Sequence, residues 1–228
     1  MSDNIRGKLD KRLSLAASFV RNGSRVADIG TDHAYLPVWL VQNGVCPFAI
    51  AADIRSGPAE RAAESVKKAG LESKISVRLG DGLSPVNPSE ADDIVIAGMG
   101  GETIADILNG TPWTKDARYH LVLQPMTRAA ALHESLLSNG YAITREQTVT
   151  DGKRVYLVLA ARFDPVAAAG QAGQPAAFIR GALDIERDRF YLEKQKNRLL
   201  KEASALKKSG ETDQAEKLIL LAESLFDI

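Results

Sequence analysis

Residues 25–37, Arg-Val-Ala-Asp-Ile-Gly-Thr-Asp-His-Ala-Tyr-Leu-Pro, run a strand, a tight turn and a helix start together. Val26 and Ala27 lead Asp28, Ile29 and Gly30 into a turn holding Thr31, Asp32 and His33, and Tyr35, Leu36, Val38, Trp39 and Leu40 then read as helix. In an open α/β sheet, ligands sit outside the carboxyl ends of the strands, and the turn after the first strand is the usual cofactor corner. This turn is taken as the active centre.

The rest of the chain repeats the alternation. A strand over 48–52 ends at Asp53, and a helix over 58–69 turns Ala59, Ala62, Ala63 and Val66 inward before Gly70 stops it. Strands follow over 75–79, 93–97 and 119–123. The third leads into Gly80-Asp81-Gly82-Leu83, the fourth into Gly98-Met99-Gly100-Gly101 and a helix, and the fifth into Gln124-Pro125-Met126 and a helix over 128–139. The pair 141–149 and 153–161, joined by Thr150-Asp151-Gly152, reads as a closing hairpin. The spacing therefore predicts an α/β fold over 1–162. Residues 163–175 have the Ala, Gly, Gln and Pro content of a linker. Beyond it Ile185, Leu192, Leu199 and Leu206 fall at heptad spacing and Leu218, Ile219, Ala222 and Leu225 form a second apolar face, predicting an α-helical coiled-coil hairpin over 176–228. A further helix is expected over 3–22, with Ile5, Leu9, Leu13, Ala16, Ala17 and Val20 on one face and Arg6, Lys8, Lys11, Arg12 and Arg21 on the other.

Lysine and arginine together number 29, as do the acidic residues, so nucleic-acid binding has to rest on local patches. The first arm of the hairpin, with Lys194, Lys196 and Arg198, is one such patch, although solvated coiled-coil flanks look similar. Cys46 is the only cysteine, which excludes an internal disulfide and fits a reducing cytoplasm. Asp3, Arg6, Lys8, Asp10 and Lys11 interrupt any secretory signal, and polar and Pro residues within 33–52 rule out a membrane span there. His33, His120 and His133 show no metal-ligand spacing, so no metal is expected. A monomer is compatible with this reading.

An acidic residue at the tip of the second strand is placed to accept hydrogen bonds from a ribose diol, which makes Asp53 a cofactor candidate; the alternative is a cap for the next helix. Asp81 can take an adenine amino group, with Gly82 letting a ring lie against backbone. The glycines at 98–101 imply close approach to a ligand, but Glu102 stands where a phosphate-binding loop wants Lys. A dinucleotide is also disfavoured. The first turn has Gly30 alone, with Asp32 and Ala34 where further glycines would stand, and Asp28 and Asp32 would repel a pyrophosphate. Carboxylates favour a cofactor carrying sulfonium and ammonium charge. That is S-adenosyl-L-methionine.

Five segments carry a resemblance to a known family: Leu-Asp-Lys-Arg-Leu at 9–13, Asp-Ile-Gly-Thr-Asp-His-Ala-Tyr-Leu-Pro at 28–37, Gly-Asp-Gly-Leu at 80–83, Ile-Ala-Gly-Met-Gly-Gly at 96–101 and Leu-Gln-Pro at 123–125. The chain resembles the bacterial tRNA adenine-22 N1-methyltransferases, the TrmK family. The resemblance implies a class I, Rossmann-like S-adenosylmethionine domain and methyl transfer to N1 of an adenine in the tRNA D-arm. It places Asp28, Gly30, His33, Asp53, Ile54, Asp81, Gly82, Ala97, Gly98, Met99 and Gly100 around the cofactor; Arg12, on the basic face of the first helix, is either solvated surface or a contact for a phosphate or the cofactor carboxylate. Positive charge develops on the adenine ring as N1 is methylated, and a carboxylate accepting from the exocyclic amine stabilises it; Asp32 is the candidate. Tyr35 is placed to wall the base and Gln124 to read its edge. Two other readings remain open: a methyltransferase acting on a protein or small molecule, and a non-catalytic RNA-binding module on the same fold.

Overall fold

The computed structural model describes residues 9–173 and 176–226. In chain order the elements are α1 (Lys11–Ala17), β1 (Val26–Ile29), α2 (Tyr35–Gln42), β2 (Ala49–Asp53), α3 (Ser56–Lys68), β3 (Ile75–Leu79), β4 (Asp93–Gly100), α4 (Gly101–Asn109), β5 (His120–Thr127), α5 (Ala129–Ser138), β6 (Tyr141–Asp151) and β7 (Arg154–Phe163), followed by α6 (Pro165–Ala172), α7 (Ala177–Arg180), α8 (Arg189–Ser209) and α9 (Thr212–Ser224). The strands form one seven-stranded sheet in the order β3-β2-β1-β4-β5-β7-β6. The first five pair in parallel, and β7 runs antiparallel between β5 and β6, so it alone is reversed. Strand order reverses between β1 and β4, and a crevice opens at the carboxyl ends of such a pair.

Alternation along the strands builds a core on each face. Ala27, Ile29, Ile94, Ile96, Leu121 and Leu123 pack towards Ile104, Leu108, Leu132 and Leu136 of α4 and α5. Val26, Ala49, Ala51, Val95 and Val122 pack towards Ala16, Leu36, Leu40, Ala62 and Val66 of α1, α2 and α3. Such two-sided burial is why the central strands read as continuous apolar runs. Along α3, Ala62 and Val66 are buried as expected, whereas Ala63 faces solvent.

Four expectations need correction. The helix expected over 3–22 is α1 alone among the described residues, capped by Asp10 accepting from Leu13 N at 2.6 Å; Ile5, Arg6 and Lys8 lie outside those residues. It stops because the Ser18 hydroxyl returns to Leu15 O at 2.7 Å, and single turns then bury Phe19 and Val20. Arg21, placed on a basic solvent face by the sequence, instead holds the fully buried Asp93 through its backbone N–H at 2.7 Å and its Nε at 2.8 Å. The glycine stretch after the fourth strand is not a free loop: Gly98, at φ +85°, makes a bulge, and β4 goes on to pair Met99 with Pro125 and Gly100 with Thr127.

The fourth correction concerns the linker. Residues 165–172 are helix α6, started by the Asp164 side chain accepting from Ala167 N with Pro165 in the first turn. The helix buries Ala168, and Gln171 clamps Ile143 through both its carbonyl and its N–H, at 2.9 and 2.8 Å. The segment is therefore packed on β6. Beyond it α8 and α9 form the expected hairpin, closed at Gly210 in the left-handed conformation. Its base docks on β6 and β7: Leu183, Tyr191 and Leu192 pack on Leu157, and buried Asp188 accepts from the Thr148 N–H at 2.9 Å and hydroxyl at 2.8 Å. No helix among the described residues is long and apolar enough to cross a membrane.

Candidate active site

The parallel strands bring their carboxyl ends, and nearly every residue singled out above, to one edge of the sheet. β1 delivers 30–34, β2 delivers Asp53, β3 delivers 80–82, β4 delivers 97–100 and β5 delivers Gln124. Gly30, at φ +78°, turns the chain out of β1, and its N–H and that of Thr31 both reach Ala52 O, at 2.7 and 3.1 Å. A Cβ on Gly30 would collide with the Met99 methyl, so the first turn and the β4 loop are in contact here. Gly30→Ala is expected to cost about 1 kcal/mol of stability through the left-handed backbone alone. It should also weaken cofactor binding about tenfold or more by pushing Met99 from its place. Thermal unfolding and titration calorimetry check the two effects separately.

Asp28 is buried beneath this turn. Burial pushes its carboxyl up to about 6, although a hydrogen bond with Thr31 and the charge of Arg12 pull the other way. Thr31 in turn accepts from Ala34 N at 3.1 Å, which fixes Ala34 in the left-handed conformation ahead of α2. Asp53 is 5% exposed; its Oδ1 accepts from Arg55 N at 2.8 Å, and Ile54 beside it is exposed. The backbone carbonyl of Asp53 accepts from Gly80 N at 3.0 Å, tying the β2 tip to the loop that carries Asp81 and Gly82. Asp81 and Gly82 border a cleft of about 510 Å³ that extends to Asp106, Ile107 and Trp113.

Arg12 reaches across from α1. Its Nη1 donates to Gln124 Oε1 at 2.8 Å, Nη2 lies 3.6 Å from Asp10, and the guanidinium sits 6.0 Å from the centre of the Tyr156 ring. Gln124 Oε1 also accepts from Gly98 N at 3.1 Å, while its Nε2 donates to Pro125 O at 2.8 Å. Gln124 is fully buried. The amide expected to read an adenine edge is committed to holding Arg12 against the β4 bulge, because an internal strand end offers it backbone partners before it offers it solvent.

Asp32 is 55% exposed on its side chain. Arg61 of α3 binds it through Nε at 3.0 Å and through a second, shorter bond from Nη2, and His33 Nε2 lies 3.7 Å away. The bonds from Arg61 hold the Asp32 carboxyl below its ordinary value against the opposing effect of burial, helped by the charges of Arg61, His33 and Arg55. The ring of His33 stacks on Tyr35, with centroids 4.9 Å apart and planes 8° from parallel, and Tyr35 is itself 55% exposed. Sequence reading missed Arg61 and Tyr156. Arg61 lies on the solvent side of α3 at a position that looks like any charged helix face, and Tyr156 is brought in by the antiparallel hairpin. No group of three or more His, Cys, Asp or Glu among the described residues is arranged to hold a metal ion.

A mixed sheet with its crevice at the β1/β4 reversal, ringed by Asp28, Asp53, Asp81 and the glycines of β4, is a methyltransferase-type arrangement, and residues 9–159 match the family of methyltransferase domains. The tRNA (adenine(22)-N(1))-methyltransferase of Bacillus subtilis strain 168 is 44% identical over 154 residues, which span 68% of this chain and 65% of that enzyme, so the chain matches a little under two thirds of that relative's length. The crystal structure of the B. subtilis m1A22 tRNA methyltransferase TrmK superposes with a TM-score of 0.86 at 35% identity, covering 96% of this chain and 99% of that one. A Streptococcus pneumoniae protein solved in complex with S-adenosyl-L-methionine superposes with a TM-score of 0.80 at 31% identity, covering 96% and 99%. The chain belongs to the TrmK family of methyltransferases.

Proposed function

We propose that this protein transfers a methyl group from S-adenosyl-L-methionine to N1 of adenine 22 in the D-arm of tRNA. The observation that carries the reading is the charge layout of the crevice: the carboxylates Asp28, Asp53 and Asp81 lie in or just after β1, β2 and β3, Asp53 is 3.5 Å from the exposed Arg55, and the charge of Arg12 acts on buried Asp28. That set fits a cofactor with a ribose diol, an ammonium and a carboxylate. It does not fit a pyrophosphate. Relatives of this family bear names of tRNA (m1A22) methyltransferases, which supports the substrate reading.

The cofactor, when bound, supplies an electrophilic methyl on a sulfonium sulfur. In the mechanism Asp53 accepts from the ribose hydroxyls, Asp81 from the adenine amine, and Arg12 meets the carboxylate end, with Gln124 keeping the guanidinium aimed. Adenine N1 carries a lone pair in its neutral form, so the protein's task is alignment of that lone pair with the methyl more than proton removal. The bond to N1 forms as the bond to sulfur breaks, and the ring becomes cationic. Asp32, kept ionised by Arg61, accepts from the exocyclic amine and stabilises that charge. N1 lies on the pairing edge, so the base has to leave its stack, and exposed Tyr35 offers it an aromatic face. Lys194, Lys196 and Arg198 on α8 serve the phosphate backbone.

Asp32→Ala is expected to lower kcat for tRNA methylation about a hundredfold or more while leaving cofactor affinity within twofold. Single-turnover methylation with labelled cofactor, beside calorimetry, measures both. Wild-type kcat in the variant would make Asp32 only a cap for Arg61.

A further inference from the structure

A second cleft, of about 200 Å³, opens where the end of β5 faces the first turns of α8. One wall is the segment from Pro125 to Ala130, including Thr127 and Arg128. The other is formed by Tyr191, Gln195 and Arg198, spaced four and three residues apart and so on one face of α8, with Leu157 of β7 among the lining. No acidic residue lines it. Two arginines, Arg128 and Arg198, are among the lining, and the amide of Gln195 and the hydroxyls of Thr127 and Tyr191 beside them suit oxygen ligands.

Two details separate this cleft from an ordinary surface groove. Only two non-glycine residues among those described have positive φ, Ala34 and Arg128, and both follow a parallel strand at the edge where the active site lies. Strain of this kind persists where neighbouring structure holds it, and at Arg128 it coincides with a charged cleft wall. The Arg128 side chain is also weakly engaged: its one ion pair, to Glu102, is 3.9 Å long with both partners mostly exposed, and Arg198 has no ion pair among the described residues. The cleft begins one residue after Gln124, so its occupant lies beside the crevice that takes the target base.

We propose that this cleft binds the phosphodiester of a nucleotide flanking the target adenine, with Arg128 and Arg198 as a two-sided clamp and Gln195 donating between them. The space, roughly that of six or seven water molecules, holds a phosphate with part of its ribose. The clamp ties together two parts of the molecule: the catalytic sheet contributes Arg128 and the C-terminal hairpin Arg198. RNA bridging the two would be held by its backbone while the adjacent base turns into the site. This inference rests on the reading of tRNA as substrate.

The test uses the full chain and a fluorescent tRNA transcript, with binding measured across a range of potassium chloride concentrations. Arg128→Gln together with Arg198→Gln is expected to weaken tRNA binding at least tenfold near physiological salt. It should also lower the slope of log affinity against log salt by roughly 1.4–1.8, the loss for two phosphate contacts. A charge-matched control, Lys67→Gln with Lys68→Gln on α3 at the opposite edge of the sheet, should stay within twofold of wild type. The Arg128→Lys with Arg198→Lys pair should regain the salt slope but only part of the affinity, since lysine keeps the charge and loses the fork. Calorimetric binding of S-adenosyl-L-methionine, unchanged in every variant, shows that the fold is intact. Affinity and slope equal to wild type in the glutamine pair would overturn the clamp, as would an equal loss in the control. If wild type bound cofactor but no tRNA, the substrate reading would fall and the clamp with it.

Discussion

Asp28→Asn is expected to make the protein more resistant to unfolding at pH 8 relative to wild type than at pH 4, while weakening S-adenosyl-L-methionine binding at least tenfold. Burial raises the Asp28 carboxyl from 3.8 to about 6, against the opposing pull of Thr31 and Arg12. A carboxyl held above its unfolded value stabilises the fold while it is protonated. That contribution is complete below about pH 4 and is lost as pH rises through about 6, so at neutral pH wild type carries an ionised, buried carboxylate at a cost of roughly 3 kcal/mol. The asparagine carries none. The difference in stability between variant and wild type should therefore shift by about 3 kcal/mol in the variant's favour from pH 4 to pH 8, which for a chain of this size is roughly 6–12 °C in Tm. Unfolding scans at both pH values measure it. A constant difference would mean that Thr31 and Arg12 fully compensate the charge, and Asp28 would then be a structural residue.

His133→Ala should be strongly destabilising, at about 3–5 kcal/mol, because it strands a buried partner. His133 on α5 and Glu146 on β6 are both buried, and Nε2 lies 2.5 Å from Oε1. The other ring nitrogen, Nδ1, is 3.0 Å from Phe178 O, a carbonyl that can only accept, so Nδ1 carries hydrogen and the Nε2–Oε1 contact shares a second proton. Glu146 Oε2 accepts from Ala182 N at 2.7 Å. One proton-sharing pair thus joins the sheet, α5 and the segment that leads into the hairpin. Burial alone would lower the His133 value, but the charge and hydrogen bond of Glu146 outweigh it and hold the imidazole above its ordinary value. A histidine shifted upward contributes its stability in full below about pH 6.5, and that contribution is lost as pH rises through the raised value. Urea unfolding of wild type and His133→Gln should accordingly show their largest gap at pH 6 and a smaller one at pH 9. A gap that widens with pH would mean the pair holds no extra proton.

The pattern of strand, turn and helix was legible in the sequence because each central strand is buried on both faces and each turn carries its own glycine or aspartate. The placement of Asp28, Asp53 and the 97–100 stretch at one sheet edge followed from that pattern, and parallel pairing of β1 with β2 and β4 realises it. What sequence could not supply was side-chain commitment. Gln124 looked like a free reader at a strand tip, yet backbone and Arg12 take both ends of its amide. Arg21 looked like a surface charge until long-range packing set Asp93 beside it. Residues 165–172 looked like a linker by composition, although Asp164-Pro165 is also a helix start, and the pocket for Ala168 exists only once β6 is in place. Arg61 and Arg128 gave no signal because their partners, Asp32 and the cleft opposite α8, are remote in sequence.

Methyl transfer to N1 of adenine 22 is tested most directly with two tRNA transcripts, one with adenine at position 22 and one with guanine there. Each is incubated with the wild-type protein and labelled S-adenosyl-L-methionine and then digested to nucleosides. Labelled 1-methyladenosine from the first transcript and none from the second is the expected result. Equal labelling of both, or a labelled nucleoside other than 1-methyladenosine, would contradict it.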